Sequence, residues 1–121
     1  MNRRVLAAVD DLFFASKIRA AAESLGVEYD SARSVESAVE KARAHRPDLV
    51  VADLQSQRCD PFALAESFKA DAALRDVPFV GFFSHVQTEL RGRALASGFD
   101  RVVARSAFVK ELPAILQDCP Q

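Results

Sequence analysis

The chain has no tryptophan, one tyrosine and one methionine, so nine phenylalanines carry nearly all of its aromatic bulk. Phenylalanine has no polar atom to satisfy when buried, which favours rings packed into a core. Two cysteines, Cys59 and Cys119, are too few for a disulfide framework and lack metal-ligand spacing. They read as ordinary thiols, and a reducing cytoplasm is the expected setting. Neither sign of charge dominates: 16 Lys and Arg face 17 Asp and Glu, a net charge of −1. That removes the global electrostatic case for nucleic acid or an anionic membrane. No apolar run approaches the length of a membrane span. Only five apolar residues separate Met1-Asn2-Arg3-Arg4 from Asp10, so no signal peptide is expected. Internal repeats, low-complexity stretches and linkers are absent, and 121 residues suffice for one domain with one core, expected over 1–121.

The most informative stretch is Leu49-Val50-Val51-Ala52-Asp53-Leu54. A short apolar run with two β-branched residues, started by the breaker pair Pro47-Asp48, predicts a strand buried on both faces. Val5 to Val9 is a second such run, ending in Asp10-Asp11. Phe14, Ile18, Ala21, Ala22 and Leu25 then make one face of a helix that stops at Gly26. Val27-Glu28-Tyr29-Asp30 alternates, as an edge strand does. Ser34 is a good N-cap for a helix carrying Val35, Ala38, Val39 and Ala42. Asp60-Pro61 reads as N-cap and first position of a third helix, with Leu64, Ala65 and Phe68 inward. Val77 to Phe83 predicts a fourth strand with Pro78 near its start, where a missing donor is tolerated. A weaker helix runs from Thr88 to Ser97 and stops at Gly98, then a fifth strand runs from Arg101 to Arg105. Leu112, Ile115, Leu116 and Cys119 form a final helical stripe, with Pro113 in its first turn or kinking it. Five strands alternating with five helices imply a single doubly wound, five-stranded parallel sheet with helices on both faces.

In such a sheet, function gathers at the carboxyl ends of the strands. Those ends supply Asp10 and Asp11, Asp53, Ser84 and Arg105. Three carboxylates at one edge repel one another and raise at least one pKa unless a cation joins them. An all-oxygen set of this type suits Mg²⁺. A hydroxyl and a guanidinium beside it are what a phosphoryl group needs. The implied chemistry is an aspartate nucleophile accepting a phosphoryl group, with Mg²⁺ and Arg105 offsetting the charge. Plainer roles compete. Asp53 could cap the following segment, and Asp10 could cap the first helix with Asp11 in its first turn. His85 reads as a rim histidine, and His45 suits the end of the second helix.

Four segments in order resemble the receiver domains of bacterial two-component response regulators. They are Val9-Asp10-Asp11, Asp48 to Asp53, Val77-Pro78 through Ser84, and Ala94-Leu95-Ala96-Ser97-Gly98-Phe99-Asp100. The resemblance covers nearly the whole chain. It implies a flavodoxin-like fold with strand order 2-1-3-4-5. It also implies phosphoryl transfer from a histidine kinase or phosphotransfer protein to Asp53. By the same match Asp11, Asp53 and the backbone carbonyl of Gln55 hold Mg²⁺, Asp10 assists through water, and Ser84 bonds the phosphoryl oxygen. Readout is then contact with a downstream protein, a homodimer being compatible, without direct nucleic-acid binding or membrane insertion.

The chain departs from the family pattern at several of these positions. Arg105-Ser106 replaces a lysine and proline, and arginine is longer, planar and forked. It can clamp a phosphoryl group or pair with Asp53. His85 stands where a small residue is usual, and Val102 where the switch aromatic is usual. Ser56-Gln57 and Asp60-Pro61 alter the turn after Asp53. A phosphate-independent pseudo-receiver, acting as a protein-interaction module, therefore competes with the phosphoacceptor. An aspartate-nucleophile phosphatase ranks lower, because Gln55 sits where its acid/base carboxylate is needed. A nucleotide-binding domain ranks lower still, because Ala7-Ala8-Val9-Asp10-Asp11 has no glycine fingerprint. Arg91, Arg93, Arg101 and Lys110 form either a basic contact face or a solvated surface of mixed charge.

Overall fold

Backbone pairing joins the apolar runs side by side in a computed structural model that describes residues 3–83 and 88–117. The strands are β1 (Arg4–Ala8), β2 (Glu28–Ser31), β3 (Leu49–Asp53), β4 (Phe79–Phe83) and β5 (Arg101–Ala104). All pairings are parallel, and the order is β2-β1-β3-β4-β5. The expected topology is thus the observed one. β2 lies at an edge, where its alternating, half-wet pattern belongs.

The helices are α1 (Leu12–Ser24), α2 (Val35–Ala44), α3 (Pro61–Lys69), α4 (Thr88–Ser97), α5 (Arg105–Lys110) and α6 (Leu112–Gln117). Ser34 caps α2 by accepting from Ser37 N, and Asp60 caps α3 by accepting from Phe62 N and Ala63 N. Pro61 takes the first turn of α3, where its missing donor costs nothing. Strand boundaries differ from expectation by one or two residues, and among the described residues there are six helices where the pattern predicts five. Arg105 is not the last residue of β5 but the first of α5, which follows without a loop. The short apolar period around Phe108 is what the sequence pattern missed. Pro113 falls in the first turn of α6, as its chemistry requires.

Side chains alternate across the sheet with period two. Val5, Leu49, Val51, Val80 and Phe82 face Phe14, Ile18 and Ala22 of α1, with Phe108, Ile115 and Leu116 from α5 and α6. Leu6, Ala8, Val50, Ala52 and Phe79 face the opposite layer, built from Ala38, Leu64, Phe68 and Ala94. Each layer has its own group of rings. On one face Phe82 lies 4.7 Å from Phe14 and 4.9 Å from Phe108 between centroids. On the other, Phe79 lies 5.0 Å from Phe68 and 5.3 Å from Phe99. Cys59 is buried in the second layer, and burial pushes its thiol up to about 11, so it is inert at neutral pH. Cys119 lies outside the described residues. Among the described residues no helix is long and apolar enough to cross a membrane.

Gly81, central in β4, has a packing reason to be glycine. A Cβ there would lie 2.7 Å from Leu54 Cδ2 and 3.0 Å from Phe99 Cδ2. Leu54 follows Asp53 directly, so crowding at Gly81 pushes on the carboxyl end of β3. Gly81→Ala should destabilise by about 1–3 kcal/mol. Urea unfolding should show a lower midpoint with an unchanged m-value.

Candidate functional site

The register of the sheet decides which polar groups meet. Ala8 pairs with Ala52, Asp53 with Phe82, and Phe83 with Ala104. The carboxyl ends of β1, β3, β4 and β5 therefore finish within two residues of one another, at the same edge of the sheet. The residues that follow, Asp10 and Asp11 after β1 and Arg105 after β5, emerge beside Asp53. Ser84 and His85, expected at the end of β4, lie outside the described residues.

Asp10 does not cap α1. Its Oδ1 accepts from Ser56 Oγ at 2.7 Å, and its Oδ2 accepts from Gln57 N at 2.9 Å and Arg58 N at 3.4 Å. Ser56 Oγ in turn accepts from Cys59 N at 3.1 Å. Asp10 thereby ties the loop between β3 and α3 to the end of β1. Burial works to raise its pKa, but the Ser56, Gln57 and Arg58 hydrogen bonds outweigh it and the net shift is downward.

Asp11 is the cap in its place. Oδ1 accepts from Phe13 N at 2.9 Å and Phe14 N at 3.3 Å, which satisfies two free donors of the first turn of α1. Oδ2 accepts from Arg105 Nη2 at 2.9 Å. The Arg105 hydrogen bond is the main reason the Asp11 pKa falls below its ordinary value. The guanidinium also lies over Phe14, with Cζ 4.1 Å from the ring centroid, a cation–π contact. The ring that holds Arg105 is the same ring that packs on Phe82 and Phe108.

Asp53 is half-buried at the end of β3. Its Oδ1 accepts from Gln55 N at 2.9 Å. It does not cap α3, since Asp60 does that. Burial raises the Asp53 pKa; the Gln55 hydrogen bond opposes this, and the charge of Asp10 adds to the rise. Arg105 acts in the lowering direction and Asp11 in the raising one. Asp10 and Asp11 are therefore near enough for their charge to act on Asp53, which with burial leaves its carboxyl above the ordinary value.

The donor chemistry fits a hard divalent cation, because carboxylates and a main-chain carbonyl are what Mg²⁺ takes, and a dication offsets the repulsion on Asp53. The arrangement is not assembled as it stands. Among the described residues, no three His, Cys, Asp or Glu side chains are gathered so that they could hold one ion. Asp10 is turned to its loop and Asp11 to Arg105.

Two participants escaped the sequence pattern. Ser56 joins Asp10 across 46 positions, and Phe14 supports Arg105 across the sheet end. A serine in a turn and a phenylalanine on a helical stripe look the same wherever they point. Of the four basic residues considered for a contact face, two are engaged. Arg93 lies over the Phe62 ring at 4.0 Å, and Arg101 pairs with Glu111 at 2.6 Å. Val102 is buried, filling the core where a mobile ring is usual in the family it resembles.

A raised carboxyl pKa means that ionising Asp53 costs the folded state stability, fully so above the folded pKa, and not at all where both states are protonated. Asp53→Asn should therefore raise stability at pH 7, by roughly 0.5–2 kcal/mol, the range of single stabilising changes. The gain should shrink as pH falls through the folded pKa towards the ordinary carboxyl value. Paired thermal melts at pH 7 and in acid check both the sign and the window.

No protein-family model and no curated protein matches the chain. Solved structures do. The chemotaxis response regulator CheY4 of Vibrio cholerae superposes with a TM-score of 0.84 at 18% identity, over 97% of this chain and 98% of that one. The signal receiver domain of a signal transduction histidine kinase from Syntrophus aciditrophicus gives 0.75 at 23% identity, over 93% and 90%. The phosphorylated cyanobacterial phytochrome response regulator RcpA gives 0.79 at 20% identity, over 97% and 90%. Identities this low carry the architecture, and together with the strand ends at one sheet edge they establish that the chain has the flavodoxin-like fold of response-regulator receiver domains.

Proposed function

We infer that the protein is a two-component receiver that accepts a phosphoryl group on Asp53 from a histidine kinase or a phosphotransfer protein. The observation that carries this reading is the position and strain of Asp53. It is a half-buried carboxylate at the carboxyl end of a central strand, its pKa raised by burial, with two more aspartates and an arginine around it. A carboxylate kept in such a place costs stability that a passive residue has no reason to cost.

In this reading Gln55 N holds Oδ1, which orients the carboxylate, and Oδ2 is the nucleophile. Oδ2 attacks phosphorus in line with the donor's P–N bond. The O–P bond forms as the P–N bond breaks, and the imidazole leaves with its electron pair and takes a proton from solvent. Asp11, Asp53 and the Gln55 carbonyl would hold Mg²⁺, with Asp10 assisting through water, and the ion would supply counter-charge for the phosphoryl oxygens. Arg105 is the fixed cation at the same edge, and its forked guanidinium suits a phosphoryl oxygen pair. Ser84, next after β4 in sequence, donates a hydrogen bond to a phosphoryl oxygen. Asp10 holds the loop over residues 56–59 against the site. Gln55 does not titrate, so it cannot serve as the acid/base that a monoesterase needs two residues after its nucleophile. Readout is contact with a downstream protein or a second copy through the face of α4, β5 and α5, where Arg91 and Lys110 are exposed. The setting that suits this chemistry is the cytoplasm.

A second reading has its own observation. The Arg105–Asp11 ion pair ties up a ligand carboxylate and the phosphoryl-binding cation together. That favours a pseudo-receiver whose contacts are constitutive. Incubation with acetyl phosphate and Mg²⁺, followed by intact mass measurement, separates the two. The receiver reading expects an increment of one phosphoryl group that is absent in Asp53→Asn. An unchanged mass in the wild-type protein would leave the pseudo-receiver.

A further inference from the structure

We propose that the Arg105–Asp11 ion pair is a latch on the divalent-cation site: Asp11 becomes a metal ligand only by giving up Arg105, so Arg105 sets the affinity for Mg²⁺. This rests on the reading of Asp11 and Asp53 as the cation's ligands.

The three aspartates are committed to different extents. Asp10 uses both oxygens on the loop after β3. Asp53 has one oxygen on Gln55 N. Asp11 keeps Oδ1 on the two N–H groups of α1, and this bond does not conflict with metal binding. Its Oδ2 faces Arg105 at 2.9 Å, and both side chains are more than a third exposed. An exposed pair of this kind is weak enough to exchange. A dication at Oδ2 repels the guanidinium, and the guanidinium repels the dication. The two ligands of Asp11 therefore compete, and each weakens the other by the same factor.

Arg105 has a second anchor, the Phe14 ring at 4.1 Å. That contact holds the guanidinium at Asp11 and makes the latch more than a chance surface pair. It also gives the latch a reporter. Phe14 packs on Phe82 of β4 and Phe108 of α5, so the cation's arrival is transmitted to the ring cluster when Arg105 leaves. Arginine suits the task better than lysine, because a planar guanidinium bonds a carboxylate and stacks on a ring at once.

The test is Mg²⁺ titration of the wild-type protein, Arg105→Met and Arg105→Lys, followed by calorimetry and by the ring resonances of Phe14. Methionine keeps an apolar stem over the ring and removes the charge, and thermal melts establish that each variant is folded. Arg105→Met should bind Mg²⁺ about fivefold more tightly than wild type, the scale of one exposed ion pair. Arg105→Lys should fall between them. Mg²⁺ should move the Phe14 ring resonances in the wild-type protein and leave them nearly still in Arg105→Met. Equal affinity in wild type and Arg105→Met overturns the latch and leaves the metal reading standing. Saturable binding in none of the three overturns the latch and the metal reading together.

Discussion

Parallel hydrogen bonding among β1, β3, β4 and β5 is the constraint from which every polar contact at the site follows. It aligns Ala8 with Ala52, Asp53 with Phe82 and Phe83 with Ala104, residues that apart from Asp53 have nothing polar to contribute. The alignment is enforced on both faces, because a slip of one residue turns each inward side chain outward. In one layer Val51 and Phe82 lie against α1, α5 and α6; in the other Val50 and Phe79 lie against the remaining helices. Apolar packing thus determines where Asp10, Asp11, Asp53 and Arg105 emerge, although none of them takes part in it.

Three aspartates that look interchangeable in the chain have become different objects. Asp10 is a loop tie whose hydrogen bonds outweigh its burial. Asp11 is a helix cap that also holds a guanidinium. Asp53 carries the uncompensated part of the charge. The division is economical in physical terms. Backbone donors and an arginine stabilise two of the carboxylates, and the third is left with its ionised form disfavoured by burial and by its neighbours' charge.

Arg105 links this edge to the interior. It starts α5, pairs with the cap of α1 and lies over Phe14, whose ring touches Phe82 and Phe108. With Val102 buried in the opposite layer, the ring cluster around Phe14 is the aromatic path that runs from the acidic edge into the sheet. In the proposed latch, a change in what Asp11 holds would reach β4 and α5 through this packing, with no mobile ring at position 102.

The order of elements, the parallel sheet and the edge with Asp53 on it were legible because they rest on short-range chemistry. Apolar runs of four or five residues, Gly26 and Gly98 as stops, Ser34 and Asp60 as caps and Pro61 as a starter each act within a few positions. Arg105 at the head of α5 was not legible, since a strand that passes directly into a helix leaves no punctuation to read. Nor were the partners of the charges. Asp10 and Ser56 are 46 positions apart, and Asp11 and Arg105 are 94 apart. Which carboxylate takes a backbone donor, which takes the guanidinium and which stays strained depends on distances of a few ångströms between chain ends. Sequence set the residue types and the edge they would reach; only the folded sheet, by bringing four strand ends to one edge, decided who bonds whom.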